Sequence, residues 1–419
     1  MSWSTKTLGE IADECGGEVR TGPFGSQLHK CDYVDDLGAT PVVMPKDMAD
    51  GKIDISSIAR IDEPTVERLN SHILCEEDIV LGRRGDIGRR AWVGADEAGW
   101  LCGTGSMRIS VGNGRDLLPR FLYYYLESPL AIEWLKGHSV GATMSNLSAG
   151  VVRQLPVTFP SISTQMEIID ALDSFEALVE NNRRRIETLD EMARLLYQEW
   201  FVHLRFPSHE AVELVDSNLG PIPGDWSVAT LGDVCSLVMG QSPRSEYYND
   251  TGEGLPFHQG VSNFGKYFPT HVKWTTVDKR VAEPGDILFS VRAPVGRINL
   301  ASDRLVVGRG LCAIRALDGN QGFLLQQLKD TFVTEDMIGG GTIFNSVTKK
   351  DMESITLLIP SERVARDFES AVLPMAELIK HLTQVNTVAR DTRDLLLPRL
   401  VSGELDVLGP DSESEAMVA

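Results

Sequence analysis

Few residues of this 419-residue chain could do chemistry on their own. Asp50, Gly51 and Lys52 carry the Asp-x-Lys spacing of a metal-dependent nuclease, yet a glycine between charged residues is also turn composition, and the turn is the stronger reading. No glycine loop ends in Lys-Ser or Lys-Thr, and no dinucleotide fingerprint, nucleophile elbow or zincin motif occurs. Six cysteines (Cys15, Cys31, Cys75, Cys102, Cys235, Cys312) are scattered and read as reduced core thiols, and the eight histidines show no metal-ligand spacing. The expectation is a chain with no catalytic residue and no metal site, not an enzyme by itself. What remains are basic side chains in glycine- and proline-punctuated loops, Arg83, Arg84, Arg89 and Arg90 early and Arg244, Arg292, Arg297, Lys349 and Lys350 late.

The net charge is −20. By segment the deficit is −6 over residues 1–155, −7 over 156–216, −2 over 217–359, zero over 360–403 and −5 beyond. A surface that attracts a polyanion must therefore be a local patch. No run of 18 apolar residues and no basic-then-apolar leader occurs, so the chain is expected to be cytoplasmic, with no membrane partner.

Something must position those loops, and the most regular stretch runs from Ile168 to His203. Ile168, Leu172, Phe175, Val179, Asn182, Ile186, Leu189, Ala193, Leu196, Trp200 and His203 alternate by four and three. That is a coiled-coil seam, on a helix roughly 50 Å long. Adding 200 gives Phe368, Val372, Met375, Ile379, Leu382, Asn386, Ala389, Arg393, Leu396 and Leu400, so the helix occurs twice. The alternative is one long core helix inside a single domain, since periodicity alone does not name the partner. Each seam holds one asparagine at non-equivalent positions, and an unpaired buried amide costs about 1 to 3 kcal/mol. An antiparallel pairing places Asn182 opposite Asn386, Ile168 opposite Leu400, Leu172 opposite Leu396 and Trp200 opposite Phe368. The two asparagines are expected to set that register. Pro374 is expected to break or kink the second helix, leaving a short lead-in from about Ser361.

The rest of the chain is duplicated too. Trp3, Leu8, Gly9, Glu10 and Ile11 return as Trp226, Leu231, Gly232, Asp233 and Val234. Asp78-Ile79-Val80, Arg84 and Ile87-Gly88-Arg89 match Asp286-Ile287-Leu288, Arg292 and Val295-Gly296-Arg297, which reads as strand, turn, strand. Helices are expected over Phe121–Leu126 and Phe323–Leu328. Gly141, Thr143 and Asn146 return as Gly340 or Gly341, Thr342 and Asn345. Pro160-Ser161 and Pro360-Ser361 mark the hand-over to each long helix.

Taken together, Thr21-Gly22-Pro23-Phe24-Gly25-Ser26, Gly285-Asp286-Ile287-Leu288-Phe289-Ser290, Gly341-Thr342-Ile343-Phe344, the Glu191–Val202 stretch and Leu396-Leu397-Pro398-Arg399-Leu400-Val401-Ser402-Gly403 carry a family resemblance. In order and duplication they resemble the DNA-specificity subunits of Type I restriction-modification systems. The resemblance implies an α+β fold: two globular α/β target-recognition domains separated by a long antiparallel two-helix coiled coil, with an internal pseudo-two-fold repeat. The expected division is 1–160 (first recognition domain), 161–205 (first spacer helix), 206–225 (linker), 226–360 (second recognition domain), 361–403 (second spacer helix) and 404–419 (acidic flexible tail). It further implies double-stranded DNA with a split recognition site, two methyltransferase subunits and restriction subunits as partners. S-adenosylmethionine, ATP and magnesium would belong to those partners, with no cofactor on this chain. On this reading the loop cations named above, with Gln241, Ser242 and Tyr247, are the candidate DNA contacts, some to phosphates and some to base edges. The rival reading is an acidic DNA mimic, an anti-restriction inhibitor, which the net charge favours.

Overall fold

The computed structural model describes residues 3–140, 146–332, 337–338, 342–343 and 346–406. The chain divides into two compact units, one formed by Met1–Glu180 with Asn386–Ala419 and the other by Asn181–Val385. Both are α+β and both are built to one plan.

In the first unit a four-stranded antiparallel sheet has the order Glu18–Thr21, Ser106–Ser110, Ile79–Gly82, Arg90–Trp92. In the second the same order returns as Cys235–Met239, Leu311–Ala316, Ile287–Ser290, Ile298–Leu300. The expected strand-turn-strand units are the last two members of each sheet. A second sheet in each unit contains one parallel pair, Leu101–Cys102 beside Thr40–Val43 and Leu305–Val307 beside Leu255–His258. A two-stranded ladder ties the opening of each globular part to its end, Ser4–Thr7 with Pro156–Phe159 and Ser227–Thr230 with Thr356–Ile359. The duplication extends to backbone contacts. A Cβ on Gly22 would stand 2.1 Å from the Gly103 carbonyl oxygen, and one on Gly240 would stand 2.1 Å from that of Gly308. Only glycine permits such an approach.

Two long helices, Ile162–Tyr197 and Glu362–Val401, contribute to both units. In the first unit Ile168 and Leu172 share a core with Leu397, Leu400, Val401, Phe121 and Leu122. In the second, Trp200 packs edge-on to Phe368 at 5.7 Å, and Ile186 clusters with Ile379 and Leu382. Within each unit the two helical stretches therefore run antiparallel, with the facing residues that the seam pattern implied. Both stretches bury a narrow apolar stripe, which is why neither is stable alone.

Pro374 does not break the second helix, which runs unbroken for 40 residues. An interior proline costs a helix about 3 kcal/mol. Here the ring lies on the exposed side, while Phe368 and Val372 before it and Ile379 and Leu382 after it are buried, holding both halves in line. The expected linker is not bare either. Leu214–Ser217 and Gly220–Pro223 form a hairpin, pinned where Phe206 and Ile222 are buried with Trp226. Gly220, with φ +94°, closes its tight turn, and Pro221 and Pro223 lie in its second strand. Cys15, Cys102, Cys235 and Cys312 are core thiols, and burial pushes the last three up to about 12. Cys31 and Cys75 are exposed, contrary to expectation, because they sit in surface connections. At the start of the tail Leu405 packs on the first unit's core. Residues 407–419 lie outside the described residues, as do Gly141, Thr143, Gly340, Gly341, Phe344 and Asn345.

Candidate nucleic-acid interface

In the second unit the core strand Ile287–Ser290 ends in a turn held by one hydroxyl. Ser290 Oγ donates to the Pro294 carbonyl at 2.6 Å and accepts from the Arg297 amide at 2.8 Å. Arg292 stands at the start of that turn, bridged through its backbone to Ser346, with its side chain exposed and in no ion pair among the described residues. The side chain borders a cavity of about 640 Å³ shared with Gln259, Asn263, Lys273 and Arg309 and walled by Tyr248 and Phe257, whose rings stack at 4.8 Å. Ser242 reaches its edge, accepting from the Arg309 amide at 3.3 Å.

Next to lining residues Phe257, Gln259 and Val272 along the chain stands a histidine relay. His258 Nε2 and His271 Nδ1 are 2.9 Å apart, and His271 Nε2 lies 3.2 Å from the Asp303 carboxylate. With Asp303 accepting, His271 holds its proton on Nε2, so its Nδ1 accepts the proton that His258 Nε2 donates. Burial first, and the neighbouring His271 second, push His258 down to about 4. The relay joins three stretches that carry cavity residues, those leading to Gln259, Lys273 and Arg309. Lys380 of the second long helix donates to the Ser302 carbonyl at 2.9 Å, steadying the stretch that carries Asp303.

The corresponding loop of the first unit uses its cations differently. Arg84 occupies the place of Arg292, at the end of Ile79–Gly82 and bridged to Asn146, and is exposed with no ion pair among the described residues. The structural counterpart of Asn146 is therefore Ser346 and not Asn345. Arg83 is 6% exposed, 5.6 Å from the Phe24 ring, and burial followed by the Arg84 charge lowers its pKa. Arg89 pairs with Asp86 at 2.9 Å. Arg90 is enclosed, pairing with Glu127, lying over the Tyr123 ring at 4.7 Å and donating to the Tyr123 carbonyl. Arg83 and Arg90, expected among the DNA contacts, are thus turned into the protein, Arg83 under the ring of Phe24 and Arg90 between Glu127 and the ring of Tyr123.

The remaining expected positions scatter. Gln241 and Tyr247 are exposed beside the cavity wall, Arg244 is 83% exposed in its side chain and 3.8 Å from Glu246, and Arg297 lies on the exposed turn. Lys349 pairs with Glu353 at 3.2 Å on a short helix with Lys350, apart from the cavity lining. Asp50 and Gly51 form the turn of a hairpin, with φ of +50° and +75°, and Lys52 pairs with Glu180. Asn182 and Asn386 are both buried, Asn386 donating to the Val179 carbonyl at 3.4 Å. Gln259, Asn263, Lys273 and Arg309 were missed. Of these only Arg309, set between Gly308 and Gly310, carries a sequence signal for a close-packed loop.

The family model described as the Type I restriction modification DNA specificity domain matches residues 2–191 and 223–364, most of the chain. The chain belongs to the Type I restriction-modification DNA specificity family. This specificity subunit is 28% identical over 372 residues to a putative type I restriction enzyme specificity subunit, MjaX, of Methanocaldococcus jannaschii, covering 85% of this chain and 86% of the relative. It is 26% identical over 419 residues to the MjaIX specificity subunit of the same organism, covering 97% and 94%. A crystal structure of a Type-I restriction-modification system S subunit from M. genitalium, 15% identical and covering 96% of each chain, has the same fold at a TM-score of 0.58. No helix among the described residues of the specificity subunit is long and apolar enough to cross a membrane.

Proposed function

We propose that this specificity subunit reads a bipartite duplex target, one half-site per unit, and lends that reading to methyltransferase and restriction subunits. The observation that carries the reading is the repeated placement of an exposed arginine, Arg84 and Arg292, at the end of the same core strand of a duplicated unit. A guanidinium there can meet phosphate or the O6 and N7 edge of guanine. On this reading the chain itself is non-catalytic. Methyl transfer from S-adenosylmethionine and ATP-driven, magnesium-dependent cleavage belong to the partner subunits, and the buried amides of Asn182 and Asn386 hold the helices in register. The second reading, an acidic DNA mimic, draws support from the −20 charge. The cations left free around the second unit's cavity oppose it.

Methylome sequencing of cells with and without this chain tests the proposal. The expected result is a split adenine-methylation motif that disappears on deletion and returns on complementation. A gain of restriction on deletion, without loss of any methylation motif, would favour the mimic.

A further inference from the structure

Around the end of the matching core strand, the two units differ in how much positive charge they leave available. In the first, Arg83 is buried against Phe24, Arg89 is paired with Asp86, Arg90 with Glu127, and only Arg84 of the expected four stands free. In the second, Lys273, Arg292 and Arg309 all border one cavity, and none is in an ion pair among the described residues. The side-chain amides of Gln259 and Asn263, in the same lining, also make no hydrogen bond among the described residues. Three cations and two amides that converge on one cavity without engaging one another form a preorganised set for a polyanion with hydrogen-bonding edges.

We propose that this cavity is the chain's principal clamp on the DNA phosphodiester backbone. Lys273, Arg292 and Arg309 hold phosphates, and Gln259 and Asn263 read base edges, a side-chain amide matching the N6 and N7 pair of adenine. The inference rests on the proposed reading of a bipartite target and adds that the half-sites are held unequally. The second unit supplies most of the phosphate grip, and the first contributes discrimination with little charge. The histidine relay positions the clamp by tying together the stretches that carry its residues.

The test measures binding of the specificity subunit, in complex with its methyltransferase subunits, to a duplex oligonucleotide carrying the methylome-derived motif, over a series of salt concentrations. Each phosphate contact contributes roughly 0.9 to the slope of log affinity against log salt. Lys273→Ala with Arg292→Ala and Arg309→Ala is expected to flatten that slope by about 2 to 3, whereas Arg84→Ala changes it by about 1 or less. Arg292→Lys with Arg309→Lys keeps the slope, separating lost charge from lost fold. Gln259→Ala is expected to relax the methylated motif at one half-site and leave the slope unchanged. An unaltered slope in the triple variant, or an equal loss from Arg84→Ala, overturns the inference while leaving the bipartite reading intact. Absence of motif-dependent binding by the unaltered complex removes the bipartite reading itself.

Discussion

The two units share a strand order, a parallel pair and a closing ladder, yet they solve the join between globular part and long helix with different chemistry. In the first, ion pairs flank the apolar core that joins them. Arg393 reaches Glu127 at 3.0 Å and also pairs with Glu176 and Asp394, while Arg120 pairs with Asp173 at 2.7 Å among the rings of Trp92, Tyr123 and Tyr124. Burial works against the Arg393 charge, but Glu127, Asp394 and Glu176 outweigh it and raise its pKa. In the second, an aromatic cluster dominates, beside an ion pair from Lys329 to Asp190 at 2.8 Å. Phe368 is fully buried among Tyr197, Trp200, Phe201 and Phe323, with ring centroids 5.0 to 6.3 Å away. The start of helix Gln321–Thr331 there gives its Gly322 and Phe323 amides to Glu369. The lesson is that a duplicated backbone constrains where apolar surface is buried and leaves polar partners free to diverge. A unit that commits its arginines to its own join has fewer to offer a ligand.

That contrast can be broken from either side. Phe368→Ala removes a ring from a closely packed cluster and is expected to cost about 4 kcal/mol. Hydrogen exchange should speed up within 181–385, with little dependence on salt. Arg393→Ala leaves partly buried Glu176 without this cation and Glu127 with Arg90 alone, and is expected to cost about 3 kcal/mol. Exchange should then rise in the first unit, and added salt should lessen the difference from the parent, because screening weakens the pairs being lost. If both variants respond to salt alike, the ionic-versus-aromatic distinction fails.

Acid sharpens the comparison at a single residue. His258 titrates near 4 in the folded second unit and near 6.5 when unfolded, so the unfolded chain binds more protons between those values. The stability it confers is fully present above about pH 6.5 and is lost as pH falls towards 4, a change of about 3 kcal/mol for a shift of this size. Chemical denaturation of the second unit followed by exchange should show this slope, and His258→Asn should flatten it. A parent slope of zero across that range would refute the burial argument.

A smaller effect concerns Gln165, which is fully buried. Its Oε1 accepts from the Leu118 amide at 2.8 Å, and its Nε2 donates to the Asp116 and Pro160 carbonyls. The matching position of the second unit is Ala365, which borders an open cavity of about 580 Å³. Gln165→Ala is expected to cost about 2 kcal/mol by stranding buried backbone groups. Ala365→Gln should change stability by less than half as much, since Gly322 and Phe323 already have Glu369. Equal effects in thermal melts would show the two joins to be equivalent after all.

Much of this molecule was legible in its residues. The seam spacing gave away two helices and their facing partners, because periodicity is a local property that burial simply ratifies, as Trp200 on Phe368 illustrates. The strand-turn-strand units could be read from Ile79–Arg89 and Ile287–Arg297 because alternation and glycine act over a few residues. Pro374 misled because its local cost is outweighed by contacts on either side. The linker misled because Phe206 and Ile222 find Trp226 only after folding.

By itself, then, the sequence determined the duplication, the helix pairing within each unit and the family, all of which rest on short-range pattern repeated in order. Tertiary structure alone decided which arginines remain free. Arg90 lost its availability to Glu127 and Tyr123, distant in sequence, while Gln259, Lys273, Arg292 and Arg309 were gathered around one cavity from four separate loops. A side chain's role depends on what the fold brings within a few ångströms of it, and no spacing along the chain encodes that proximity.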